Sequence, residues 1–240
     1  MSQKEPITHT TSPIYVGSSV IGMRYNNGVI IATDTRLNYG SMCKEVDIQD
    51  RIQQLTPRTI IGYSGEYSDL QETSRQLHAL TLSDTLEGNP CFGPVELSNY
   101  LASLHYYKRN KMNPYLNSVV IGGVDWNGDL VLMNIDPFGT LLQANYFTTS
   151  MAHYFCNSII KPNYPKDLNE MTKEKAMTLL NQCFEVLFYR HTMAGNVIKY
   201  ATIEKEGDQI KYDEGKFTVE SKWNYDKFKN QANEKHYLTC

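Results

Sequence analysis

The order of hydrophobic periodicities predicts an α+β fold, a four-layer αββα sandwich of two antiparallel sheets. Three observations carry that expectation. Short runs rich in β-branched and aromatic residues give way to helical spacing and then return, in the order strands, helix pair, strands, helix pair, strands. The turns within each strand set are of hairpin type, which makes neighbouring strands antiparallel and excludes a doubly wound sheet. The chain has 240 residues and is 41% hydrophobic, sufficient for one large core, and no internal repeat points to a solenoid.

Val20 to Tyr25 and Val29 to Asp34 read as the first strands, with Asn26, Asn27 and Gly28 as the turn between them. Thr59 to Tyr63 is a further strand, closed by Ser64 and Gly65. Between 66 and 87, Leu70, Leu77 and Leu80 recur at helical spacing. Gly93 and Pro94 introduce a second helix: Pro suits the first turn, Glu96 suits the positive end of the dipole, and Leu97, Leu101 and Leu104 form its stripe. Strands return at Ser118 to Val124, Leu130 to Ile135 and Leu141 to Phe147, punctuated by Asp125, Asn127 and Gly128, then by Asp136, Pro137 and Gly139. Met151, Phe155 and Ile159 open a third helix, and Ala176, Leu179, Leu180, Cys183 and Leu187 mark a fourth. Val197 to Glu204 and Gln209 to Tyr212 end the pattern as strands around Glu206 and Gly207. Two sheets face to face, each with a helix pair on its outer side, bury every stripe named.

Composition removes several function classes. The formal net charge of -3 leaves no clustered Lys and Arg to displace counterions from a phosphate backbone, so no nucleic-acid partner is expected. The longest apolar stretch, Val119 to Val124, is far too short for a membrane span, and residues 1 to 17 lack the apolar run of a secretory signal. Cys43, Cys91, Cys156, Cys183 and Cys240 are scattered and never form Cys-x-x-Cys, and no glycosylation sequon occurs. A cytosolic or nuclear address follows as the expectation.

Phosphate-binding loops, dinucleotide fingerprints and zincin helices are absent, so no cofactor is expected. The six histidines (9, 78, 105, 153, 191, 236) share no ligand spacing, so no metal is expected either. Gly62-Tyr63-Ser64-Gly65 falls one residue short of a nucleophile elbow and reads as a turn.

Gly17-Ser18-Ser19-Val20 followed by Gly28-Val29-Ile30-Ile31-Ala32-Thr33-Asp34 resembles the start of a proteasome beta-type subunit. Further matching blocks are Tyr39-Gly40-Ser41, Ser64 to Asp69, Lys111-Met112-Asn113-Pro114, Val120 to Gly123, Tyr189-Arg190 and Trp223. The resemblance implies the N-terminal-nucleophile hydrolase fold, which is the αββα sandwich reached above. It also divides the chain into a leader (1–17), a beta-type domain (18–213) and a C-terminal interaction tail (214–240). The Lys-Met-Asn-Pro block, the short leader and the Trp-bearing tail are most similar to the seventh beta position of a eukaryotic ring.

An active member of that family frees a threonine at its own N-terminus; the hydroxyl attacks, the α-amine accepts the proton, a lysine keeps the amine neutral and an aspartate anchors the lysine. In this sequence the nucleophile position matches Ser18, after Gly17, and the anchor matches Asp34. The lysine position falls at Asp50 on a gapless count, or at Arg51 with one insertion. Arg remains protonated and Asp has the wrong sign, so neither replaces lysine. A Tyr-Arg-Asp triplet followed by Ser-Gly appears as Tyr189-Arg190-His191 with Ala194-Gly195, losing carboxylate and hydroxyl together. A Gly-Ser pair at the third helix aligns with Ser150, Met151 and Ala152, where Met151 is bulky. The resemblance therefore implies a vestigial site at Ser18, Asp34, Arg51, His191 and Ala194, in a non-catalytic subunit that supports ring assembly and protein degradation by the complex. The contrasting reading is an active serine hydrolase that uses Ser18 after cleavage at Gly17. Implied partners are other beta subunits in a seven-membered ring, the alpha ring, and the opposite beta ring through Trp223, Tyr225 and Phe228. The last part of the leader is expected to be ordered where substrate would otherwise sit.

Overall fold

A computed structural model of the chain describes residues 12–45, 47–48, 50–88, 91–207 and 209–221. The expectations placed on Trp223, Tyr225 and Phe228 lie outside the described residues. In chain order the strands before the first helix pair are β1 (Tyr15–Gly17), β2 (Val20–Tyr25), β3 (Gly28–Asp34), β4 (Leu37–Tyr39), β5 (Met42–Glu45), β6 (Ile52–Thr56) and β7 (Thr59–Glu66). Helices α1 (Tyr67–Leu86) and α2 (Pro94–Asn110) follow, then β8 (Asn117–Val124), β9 (Leu130–Ile135), β10 (Leu141–Gln143) and β11 (Tyr146–Thr148). Helices α3 (Ala152–Asn163) and α4 (Lys173–Arg190) precede β12 (Val197–Glu206) and β13 (Gln209–Thr218).

Two antiparallel sheets result, as the sequence predicts. One runs β10-β9-β8-β7-β1-β4-β5 with β6 also paired to β7, and the other runs β11-β2-β3-β12-β13. Three apolar layers hold the four structural layers together. Period-two alternation assigns the side chains of each strand to two of them: Val29 and Ile31 of β3 meet Ile60, Val120 and Leu132 between the sheets, while Ile30 and Ala32 face Leu180, Cys183 and Leu187 of α4. Likewise Ile61 and Tyr63 of β7 join Leu70, Leu77, Leu97 and Leu101 of the first helix pair.

The structure departs from the sequence reading at four places. Leu141 to Phe147 is two strands rather than one: β10 pairs with β9 in the first sheet, while β11 pairs with β2 in the second. The crossing is at Ala144 and Asn145, where Ala144 N–H donates to Leu132 and the Asn145 carbonyl accepts from Arg24 N–H, one bond to each sheet. Ser64 and Gly65 continue β7 instead of closing it, because β8 supplies partners for both at Ser118 and Asn117. The strands β4, β5 and β6 carry too few residues and too little alternation to stand out, and β1 emerges from what composition marks as a terminus. The last strand extends past Tyr212 to Thr218, and Phe217 packs on Phe184 at a ring-centroid distance of 6.4 Å.

Candidate active site

The end of β1 delivers Gly17 and Ser18, the end of β3 delivers Asp34, the residue before β6 is Arg51, and the loop after α4 carries His191, Ala194 and Gly195. Pairing of β3 with β2 and β12 in one sheet, and of β7 with β1 and β6 in the other, positions these separate segments. The geometry resolves the choice at the lysine position. Arg51 enters the site, whereas Asp50 stays exposed and its carboxylate accepts from the Tyr67 hydroxyl at 2.6 Å. Burial and that carboxylate push the Tyr67 hydroxyl up to about 12.

Arg51 is completely buried. Its Nη1 donates to Asp34 Oδ1 at 2.7 Å and to the Asp34 carbonyl at 2.8 Å, Nη2 donates to the Ser18 carbonyl, and Nε donates to the Tyr63 carbonyl at 3.3 Å. Every edge of the planar fork is thus engaged. Asp34 completes its own shell by accepting the Gly195 N–H at Oδ2, 2.7 Å away. Gly17 is where the chain must pass the guanidinium, since an added Cβ would overlap Arg51 Nε. The glycine before Ser18 has a steric reason here that is independent of any cleavage.

Ser18 is buried, and its Oγ lies 3.4 Å from His191 Nδ1, at the long limit of a hydrogen bond. Burial pushes His191 below its ordinary value, opposed by the Asp34 charge. The pair brings together a hydroxyl and an imidazole, two parts of a nucleophile–base arrangement. Ala194, also buried, donates its N–H to the His191 carbonyl at 3.0 Å. The third-helix position is turned inward: Ala152 N–H donates to Ser19 Oγ at 2.9 Å, Ser150 adopts a φ of 52°, and Met151 caps the helix without a side-chain bond.

The end of the leader is ordered, but its strand pairing and its contact with Glu66 were not read from the sequence. The leader strand β1 lies between β4 and β7, with Val16 opposite Asn38 on one side and Glu66 on the other. Glu66, itself buried, accepts the Tyr15 N–H at 3.1 Å, the Ile14 N–H, and the Ser68 hydroxyl at 3.0 Å. The Ser64 to Asp69 block contains this residue, but nothing local reveals a contact so distant in sequence. Beside the site, a cavity of about 450 Å³ is lined by Arg36, Cys43, Phe188 and Val197.

A family profile described as "Proteasome subunit" matches residues 14–203. The chain belongs to the proteasome subunit family. It is 31% identical over 219 residues to proteasome subunit beta type-4 of Xenopus laevis, covering 91% of this chain and 88% of that protein. Identity to the Arabidopsis thaliana protein of the same description is 32% over 229 residues, covering 95% and 89%. Proteasome subunit beta type-7 of Saccharomyces cerevisiae is 30% identical over 208 residues, covering 83% and 77%. These relatives support a beta subunit of the proteasome core, and the αββα sandwich is the fold that such a beta subunit requires. No helix among the described residues is long and apolar enough to cross a membrane.

Proposed function

We propose that this proteasome beta subunit is non-catalytic, and that it fills one position of a seven-membered beta ring against the alpha ring. The observation that carries the proposal is the Arg51 guanidinium bridging Asp34 and the Ser18 carbonyl. Arginine does not release its proton near neutral pH, so it cannot exchange protons with a neighbouring amine, and each of its three nitrogens already donates within the protein. Strand β1 adds a second obstacle, because the subunit's own leader lies in the gap between β4 and β7. An extended peptide added at these edges would have to displace it. The tail, with Trp223, Tyr225 and Phe228, is proposed to reach the opposite beta ring, and the assembled particle to work in cytoplasm and nucleus.

The Ser18–His191 contact favours one alternative, a serine hydrolase freed by cleavage after Gly17. Intact-mass measurement on the subunit from native particles separates the two. A chain beginning at or before Thr10 supports the non-catalytic reading, and a chain beginning at Ser18 supports the hydrolase. Fluorogenic peptide turnover that Ser18→Ala abolishes would likewise sink the non-catalytic reading.

A further inference from the structure

The C-terminal half of α2 carries a surface remote from Ser18 and Arg51 in the chain and unused by them. Tyr106 and Tyr107 are 53% and 58% exposed, and Phe138, at the turn between β9 and β10, is 62% exposed. Isolated exposed apolar residues are ordinary, whereas a contiguous group marks a contact surface. The Arg109 guanidinium links two of these rings, at 5.7 Å from the Tyr106 centroid and 6.0 Å from that of Phe138, and beside them the Lys111 ammonium stands 5.6 Å from the Tyr107 ring. All three distances fall in the cation-π range.

The patch is held in shape before any partner arrives. His105 Nδ1–H donates to the Asp136 carbonyl at 2.9 Å, tying the turn to the helix. Gly139, at φ 83°, sits so close to α2 that a Cβ there would lie 2.7 Å from the Ala102 carbonyl. The Asp136 carboxylate is directed to the turn's own backbone, accepting from Phe138 N–H and Thr140 N–H. Lys108 is compensated by the Asp69 and Glu72 charges on α1. Arg109 and Lys111 are left: residues 105–115 contain no carboxylate, and among the described residues neither cation forms an ion pair.

The geometry points to Tyr106, Tyr107, Arg109, Lys111 and Phe138 as a docking surface for an acidic segment of an adjacent proteasome subunit. This inference rests on the assembly reading above. Two uncompensated cations over pre-ordered aromatic faces present complementary charge and a desolvating surround to carboxylates, at little cost in side-chain ordering. A polyanionic nucleic acid would call for a larger basic cluster than two side chains.

A zero-length carbodiimide cross-linker, applied to native particles, joins amines only to carboxylates in direct contact. A Lys111 link to an Asp or Glu of another subunit is the expected product. In cells that also express the unaltered chain, the R109E/K111E variant should enter particles about tenfold less often, since reversed charge faces like charge. If Lys111 in intact particles takes up an amine reagent as fast as in the denatured chain, and R109E/K111E enters particles normally, the docking surface is wrong while the assembly reading stands. Absence of the chain from ring particles would overturn both.

Discussion

Replacing Arg51 with alanine would take the ion-pair partner from the buried Asp34 carboxylate and leave it the Gly195 N–H. Breaking a buried ion pair from one side costs about 3–5 kcal/mol, so Arg51→Ala should lower the urea midpoint of the purified chain steeply. An unchanged midpoint would mean that the guanidinium contributes no net stability. Gly17→Ala tests the same packing from the other side, because its methyl and the Arg51 Nε compete for one volume; a loss of about 1–3 kcal/mol is expected for such overpacking. Through the family resemblance the sequence singled out Ser18, Asp34, His191 and Ala194, and the fold brings them close to one another. It left Asp50 and Arg51 in competition, since adjacent residues differ in register by a single insertion and only the β6–β7 pairing decides which one turns inward. Glu66 was illegible for a different reason: its partner amide at Tyr15 is 51 positions away, and hydrogen bonds to backbone leave no mark on the partner's identity.

Elements with long, regular periods were legible, and short ones were not. All four helices stand where the sequence placed them, down to Pro94 in the first turn of α2, but the buried stripe of α3 is Ala152, Cys156 and Ile160, one residue on from the Met151, Phe155 and Ile159 read from spacing, and Met151 is the residue before the helix. The three-residue strands β1 and β4 fall below the length at which alternation can be recognised, and β10 and β11 read as one run because only their pairing to different sheets separates them. Helix α2 also predicts a pH response. Burial pushes His105 below its ordinary 6.5, opposed by its bond to the Asp136 carbonyl and by the Asp136 charge. The unfolded chain therefore binds the proton more readily, so this contribution to stability is complete above about pH 6.5 and is lost as the pH falls further. Urea midpoints measured between pH 8 and pH 5 should decline less for His105→Phe than for the unaltered chain; equal declines would rule out the His105 contribution. In β13, the partly buried Phe217 packs against the core, which sets where the tail can be removed. Deleting 222–240 should leave thermal unfolding of the isolated chain nearly unchanged and slow the joining of half-particles. Normal joining would defeat the role proposed for the tail.

At the scale of the whole molecule, the layer order was legible because three separate apolar layers require it, and the sheet order was not, because pairing across layers is set by contacts distant in sequence. The sheet β10-β9-β8-β7-β1-β4-β5 would be interrupted between β7 and β4 without the leader. Glu66→Gln, which removes the charge accepting the Ile14 and Tyr15 amides, should make the leader easier to clip by an added protease, read as faster appearance of truncated chains; equal rates would show that the carboxylate does not anchor it. There is a consequence for the timing of folding. Residues 15–17 leave the ribosome before either of their partner strands exists, and closing loops to Asn38 and Glu66 has to wait until those strands are made. The first part of the wall to be synthesised is therefore among the last to be set, as a keystone is, and pulse-labelled hydrogen exchange during refolding should find the Val16 amide protected only after those of β7 and β8.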